Sequence, residues 1–172
     1  MAATELTPLE EQIIEELDEP FRSRFLTVLF RVKEILARDT NVYVIVRDGW
    51  RDPKRQASLY AVGRTVETWR SPVTNAKPGY SPHEYRRAAH IVLMDRTTDK
   101  LLADSDSRWE AVGLEVSRFA PSKESGGKGL VSGRYFSSLV DSAHVEDANW
   151  AKLARKRQHQ GLGPTEHATG EL

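Results

Sequence analysis

Phe21, Phe25, Val28, Leu29, Val32, Ile35 and Leu36 recur three and four apart, so the segment after Pro20 predicts a helix with one apolar face. Such a face suits a partner, a membrane surface or the protein's own core, and the core is the commoner use. Ahead of it, Thr7-Pro8-Leu9-Glu10 has the form of a capping box with proline at the first helical position, opening a helix through about Asp18. The rhythm then changes. Val42 to Val46 (V-Y-V-I-V) is rich in β-branched residues and reads as a strand. Asp52 and Pro53 supply an N-cap and a first-turn proline for a helix through Tyr60 that stops near Gly63. From Arg64 to Pro82 only turn chemistry is left, and a loop of that length inside a compact domain is expected to be functional or disordered.

Ile91 to Met94 is too short and too β-branched for a helix and predicts a buried strand. A polar turn, Asp95 to Lys100, leads into Leu101 and Leu102. Ser107-x-x-Glu110 reads as a second capping box for a helix through about Phe119, with Trp109, Val112 and Val116 on one face. After a mobile loop over Pro121 to Gly129, the stretches Gly133 to Asp141 and Ala143 to Glu146 read as short strands, and Asp147 to Arg157 as a closing helix capped near Gly161. Strands set among helices and long loops, without a regular βαβ rhythm, give α+β as the fold class.

With 172 residues the chain suits one domain, residues 1–161, with a helical part at 7–37, a core at 42–150, a closing helix at 147–160 and a flexible tail at 162–172. His159 and His167 then fall near or in the tail and are expected to be solvated. Lys+Arg and Asp+Glu are both 25, and a neutral chain without a basic stripe is no candidate for nucleic-acid binding. The absence of cysteine excludes disulfides, thiolate metal sites and a cysteine nucleophile. No apolar run approaches a membrane span, and the N-terminus lacks a basic and apolar leader. The expectation is a monomer made in the cytoplasm without a signal peptide and without membrane insertion.

The candidate chemistry centres on Val73 to Asp95 (V-T-N-A-K-P-G-Y-S-P-H-E-Y-R-R-A-A-H-I-V-L-M-D). His83 lies just after a turn, and His90 stands at the mouth of the apolar strand. His144 lies far downstream in D-S-A-H-V-E, with Asp141 three residues before it. Three imidazoles and a water make a known catalytic zinc site. On spacing alone the same residues also read as a loop histidine, a core histidine and an exposed strand histidine. Arg51 occupies a tight strand-to-helix junction, where it serves a site or pairs with Asp48 or Asp52.

Three ordered blocks, G-W-R-D-P-K-R-Q-A-S-L-Y-A-V-G-R-T, V-T-N-A-K-P-G-Y-S-P-H-E-Y-R-R-A-A-H and D-S-A-H-V-E, resemble the zinc peptidoglycan peptidases. These are the VanY-type D,D-carboxypeptidases and, more closely, the L-alanyl-D-glutamate endopeptidases of phage endolysins. The resemblance spans roughly Val42 to Trp150. It implies a small antiparallel sheet carrying Zn2+, flanked by helices, in the manner of the Hedgehog/DD-peptidase group. It implies zinc ligands at His83 and His144, a carboxylate base at Asp141, an arginine at Arg51 that holds substrate and steadies the oxyanion, and Ser81 and Gln56 along the substrate groove. Two positions depart from the family pattern. Arg86 stands where the family has glycine, which loses easy access to positive φ and brings a long cation toward a metal site. His90 stands where the family has its aspartate ligand, giving a three-histidine set, and strand alternation turns Asp95 to the opposite face. The activity implied is hydrolysis of the L-Ala–D-Glu bond of stem peptides after release from the cell. The alternatives are a catalytically weak wall-binding or structural module, and a D-Ala–D-Ala carboxypeptidase.

Overall fold

A computed structural model describes residues 5–164. It holds five α-helices and a five-stranded antiparallel sheet among the described residues: α1 (Pro8–Glu15), α2 (Phe21–Leu36), β1 (Val42–Arg47), α3 (Pro53–Ala61), β2 (Ala88–Asp95), β3 (Lys100–Leu101), α4 (Trp109–Ser117), β4 (Leu130–Ser132), β5 (His144–Asp147) and α5 (Trp150–His159). The fold class is α+β.

Thr7 and Glu10 cap α1 reciprocally, with Glu10 N–H on Thr7 Oγ1 at 3.2 Å and Thr7 N–H on Glu10 Oε2 at 2.8 Å. The apolar stripe of α2 lies on the sheet, and Phe21, Phe25, Val28, Leu29 and Val32 are fully buried; Ile35 falls outside the stripe's buried part and is exposed. Trp109, Val112 and Val116 of α4 join this core from the side. The sheet runs β1-β2-β5-β4, with β3 on the far end of β2. Central β2 pairs the whole of β1, from Val42↔Asp95 to Arg47↔His90, and pairs β5 only at its start, through Ala88↔Glu146, Ala89↔Val145 and His90↔His144. Directly opposed residues share a face. Ala89, Ile91, Leu93 and Val145 therefore face the core, while His90, His144 and Glu146 face the other way.

Three boundaries differ from the sequence reading. Ser107 does not cap α4; Asp106 takes the Arg108 N–H instead, at 2.9 Å, and the helix begins at Trp109. Gly133 to Asp141 is not a strand. It opens as a 3-10 turn, Gly133–Tyr135, and the pairing residues lie just before it in β4. Asp147 extends β5, donating its N–H to Arg87 O at 2.9 Å, so the last helix starts at Trp150 and not at 147. His159 is the last residue of that helix, whereas His167 and most of the expected tail lie outside the described residues. No helix among the described residues is long and apolar enough to cross a membrane.

Candidate metal centre and cleft

His83 is placed by the turn that follows the long loop. Pro82–Tyr85 forms a single 3-10 turn, and the Glu84 carboxylate folds back onto the N–H groups of Gly79 at 2.9 Å and Ser81 at 3.1 Å. Glu84 is fully buried, and burial raises its pKa against the lowering effect of those donors. Tyr85 ties the same turn by donating to Gly79 O at 2.9 Å. The junction after β1 closes on it from the other side. Gly49 O lies 2.7 Å from His83 Nδ1, and Arg51 N–H donates to His83 O at 3.2 Å.

His90 and His144 come together through strand register, as opposed residues of β2 and β5. A tight turn delivers His144: Asp141 N–H donates to Gly133 O, and His144 N–H to Asp141 O, both at 3.1 Å. A Cβ at position 133 would stand 2.6 Å from Asp141 O and 2.8 Å from the His144 Cβ, so only glycine permits this approach.

The three rings offer nitrogens that all lie within 4.8 Å of one another. The bonds at the far sides of the rings fix which atoms face inward. A ring nitrogen that touches an acceptor must carry the proton. His83 Nδ1 faces a carbonyl, which leaves the Nε2 lone pair free; His144 Nε2 faces Glu146 Oε2 at 2.9 Å, which leaves Nδ1 free. His144 Nδ1 stands 3.3 Å from both His83 Nε2 and His90 Nε2. His83 Nε2 and His144 Nδ1 thus converge with His90 Nε2 as an inward-facing set of three ring nitrogens. Nitrogens about 2.0–2.1 Å from a tetrahedral zinc are about 3.3–3.4 Å apart, so the donor set fits that ion. Burial pushes His83 well below the ordinary imidazole pKa, helped by the charges of His144, His90 and Arg51. Burial lowers His90 to about 4, with Asp141 acting in the opposite direction. Both rings are therefore neutral and ligand-ready near pH 7.

A cleft of about 460 Å³ opens over the rings and is lined by Arg51, Ser81, Asp141, Asp48, Glu146 and Trp150, among others. Asp141 Oδ2 is 3.6 Å from His90 Nε2 and half-exposed to the cleft. The Arg51 guanidinium is buried, donating to Gln56 Oε1 at 2.8 Å and paired with Asp48, which also binds Arg55 at 2.7 Å. The long loop contributes Val73, Thr74, Asn75, Ala76 and Tyr80 to the rim.

No protein-family model matches the chain. Its structure is similar to that of the L-Ala D-Glu endopeptidase ChiX of Serratia marcescens, with a TM-score of 0.53 at 18% sequence identity, over 86% of this chain and 92% of that one. The chain has that endopeptidase's fold. A second solved structure, the L,D-carboxypeptidase DacB from Streptococcus pneumoniae, matches at a TM-score of 0.44 and 13% identity, over 86% of this chain and 78% of that one.

Within this endopeptidase fold, the expected residues His83, His90, His144, Asp141, Arg51 and Ser81 all meet at one cleft. Gln56 does not line it. That side chain is fully buried behind Arg51, with its Nε2 donating to Ala76 O at 2.7 Å, so it ties Arg51 to the long loop. Arg86 corrects a second expectation. It does take positive φ, at 59°, but its guanidinium turns away from the histidines to lie 4.4 Å over the Trp50 ring and donate to Glu16 O at 2.8 Å. Asp95 is remote from the rings and caps the turn at Thr97 and Thr98. Sequence reasoning missed Glu146. Its signal was present in H-V-E, because alternation puts residue 146 on the His144 face.

Proposed function

We propose that the protein is a zinc-dependent peptidoglycan peptidase that cuts the L-Ala–D-Glu bond of stem peptides. The observation that carries this reading is the convergence of three imidazole nitrogens beside a carboxylate at the floor of an open cleft. The fold shared with an L-Ala D-Glu endopeptidase supports the choice of bond.

His83 Nε2, His90 Nε2 and His144 Nδ1 would hold the metal, which supplies Lewis acidity to water and to the scissile carbonyl. Glu146 accepts the His144 Nε2 proton and so keeps Nδ1 turned to the cleft. Asp141 Oδ2 takes the proton of the attacking water and returns it to the leaving amine nitrogen. Arg51, held by Gln56 and Asp48, steadies the charge that develops on the carbonyl oxygen. Ser81 and the rim of the long loop hold the peptide across the cleft.

A digest of purified peptidoglycan, followed by mass spectrometry of the released fragments, tests the reading. New L-Ala carboxyl and D-Glu amino termini are expected, lost on chelation, restored by zinc and absent with Asp141→Ala. Release of free D-Ala would move the reading to a carboxypeptidase. An inert, zinc-loaded and folded protein would move it to a wall-binding module.

A further inference from the structure

Trp150 walls the cleft on one side and, on its other side, a second cavity of about 440 Å³ between the start of α2, the start of β2 and α5. Arg24, Arg87, Lys128, Lys152 and Lys156 line this cavity, against one carboxylate, Asp147. That carboxylate is already occupied. Its Oδ2 accepts from Arg87 Nη1 at 3.1 Å, and its Oδ1 accepts from Asn149 N–H at 2.9 Å. Arg24, Lys128, Lys152 and Lys156 have no carboxylate partner among the described residues. Arg87 is only 5% exposed, yet its Nε–H meets no acceptor among the described residues. A buried donor of this kind costs free energy unless a ligand or water satisfies it. No side chain caps α5, whose N-terminus adds its positive dipole end to the same wall. The chain as a whole is neutral, so five cations around one cavity are a local asymmetry.

We propose that this cavity is a subsite for a free carboxylate of the peptide whose scissile bond lies in the cleft across Trp150. The inference rests on the peptidase reading. A stem peptide carries free carboxylates, including the one that D-Glu does not use in the chain, and the shared Trp150 wall lets one extended peptide touch both cavities. The neighbouring cleft differs in charge. It holds Asp48, Asp141 and Glu146 close to its two arginines, and Asp48 pairs with both of them.

The test uses a synthetic stem-type peptide in two forms, one with free carboxylates and one with these converted to carboxamides. For the wild-type zinc-loaded protein, kcat/KM is expected to favour the carboxylate form about ten-fold, as a few partly exposed charge pairs allow. The variant Lys128→Gln/Lys152→Gln/Lys156→Gln should lose that preference through KM, while Lys100→Gln, on distant β3, should keep it. Calorimetric binding of both peptides to metal-free protein is measured alongside. Tighter binding of the carboxylate form, lost in the triple variant, supports the subsite even if neither peptide is cut, in which case the peptidase reading falls alone. Equal binding of the two peptides by the wild type, or a preference that survives in the triple variant, overturns the subsite.

Discussion

Two buried polar clusters lie three residues apart along the chain at the end of β1, and they are built in opposite ways. At Val46 the Glu10 carboxylate is saturated: it accepts from Val46 N–H at 3.1 Å, Lys33 Nζ at 3.0 Å and Thr7 N–H at 2.8 Å. At Gly49 the histidine cluster begins, and there three ring nitrogens meet with no charged or backbone group between them. Burial by itself raises the Glu10 carboxyl, but its bonds to Thr7, Lys33 and Val46 outweigh that and hold it below the usual carboxylate range. Burial of His83 and His90 is opposed only in part, by the Gly49 carbonyl at His83 and by Asp141 and Asp48 at His90, and it drives both toward the neutral form. A satisfied cluster fastens α1 and α2 to the sheet. The histidine cluster is left incomplete, which is the property a ligand site requires.

The sharpest way to break this comparison is to remove one side chain from each cluster. Glu10→Ala strands a buried lysine and the Val46 N–H and removes the α1 cap, so it should lower stability by about 3 kcal/mol in urea unfolding. Zinc binding should survive in the folded fraction. His90→Ala should do the reverse, changing the stability of metal-free protein by less than about 1 kcal/mol while abolishing zinc binding.

A second, smaller effect follows from the titration of the rings in chelator. Their folded-state pKa values lie below the unfolded imidazole value, so between about pH 6.5 and about pH 4 the unfolded chain binds more protons. Stability of metal-free protein should therefore fall as pH drops through that window and be nearly independent of these groups above it. A pH series of thermal midpoints, repeated with His90→Gln, measures their share; an unchanged slope in the variant would remove His90 from the account.

The smallest effect is expected at Arg86. Arg86→Gly eases the positive-φ backbone but loses the stack on Trp50 and the bond to Glu16 O, so the two changes offset to within about 1 kcal/mol. Because the guanidinium points away from the rings, peptidoglycan cleavage should stay within about two-fold of the parent. A sharp gain in rate would mean that Arg86 suppresses the site after all.

Helices whose caps are local were legible in the chain: Thr7 with Glu10, and Asp52 with Pro53, each form as their spacing implies. The failures share a physical cause. Gly133 to Asp141 reads as a strand because it is rich in aromatic and aliphatic residues, yet Tyr135, Leu139 and Val140 are exposed and Leu139 lines the cleft. Asp147 reads as a helix start because aspartate caps helices, whereas pairing with Arg87 keeps it in the sheet. Among the site residues, the types were visible but not their roles relative to one another. Cross-strand opposition of His90 and His144 follows from register, which no local pattern specifies. The family resemblance places Gln56 in the groove, and only the fold shows it sealed behind Arg51.

The most direct test of the central claim is zinc titration of the metal-free protein, with X-ray absorption at the zinc edge of the loaded form. One zinc per chain, with three nitrogen neighbours at about 2.0–2.1 Å and binding lost in His83→Ala, His90→Ala and His144→Ala alike, is the expected result. Binding that is absent, or that persists when any one of the three histidines is removed, would contradict it.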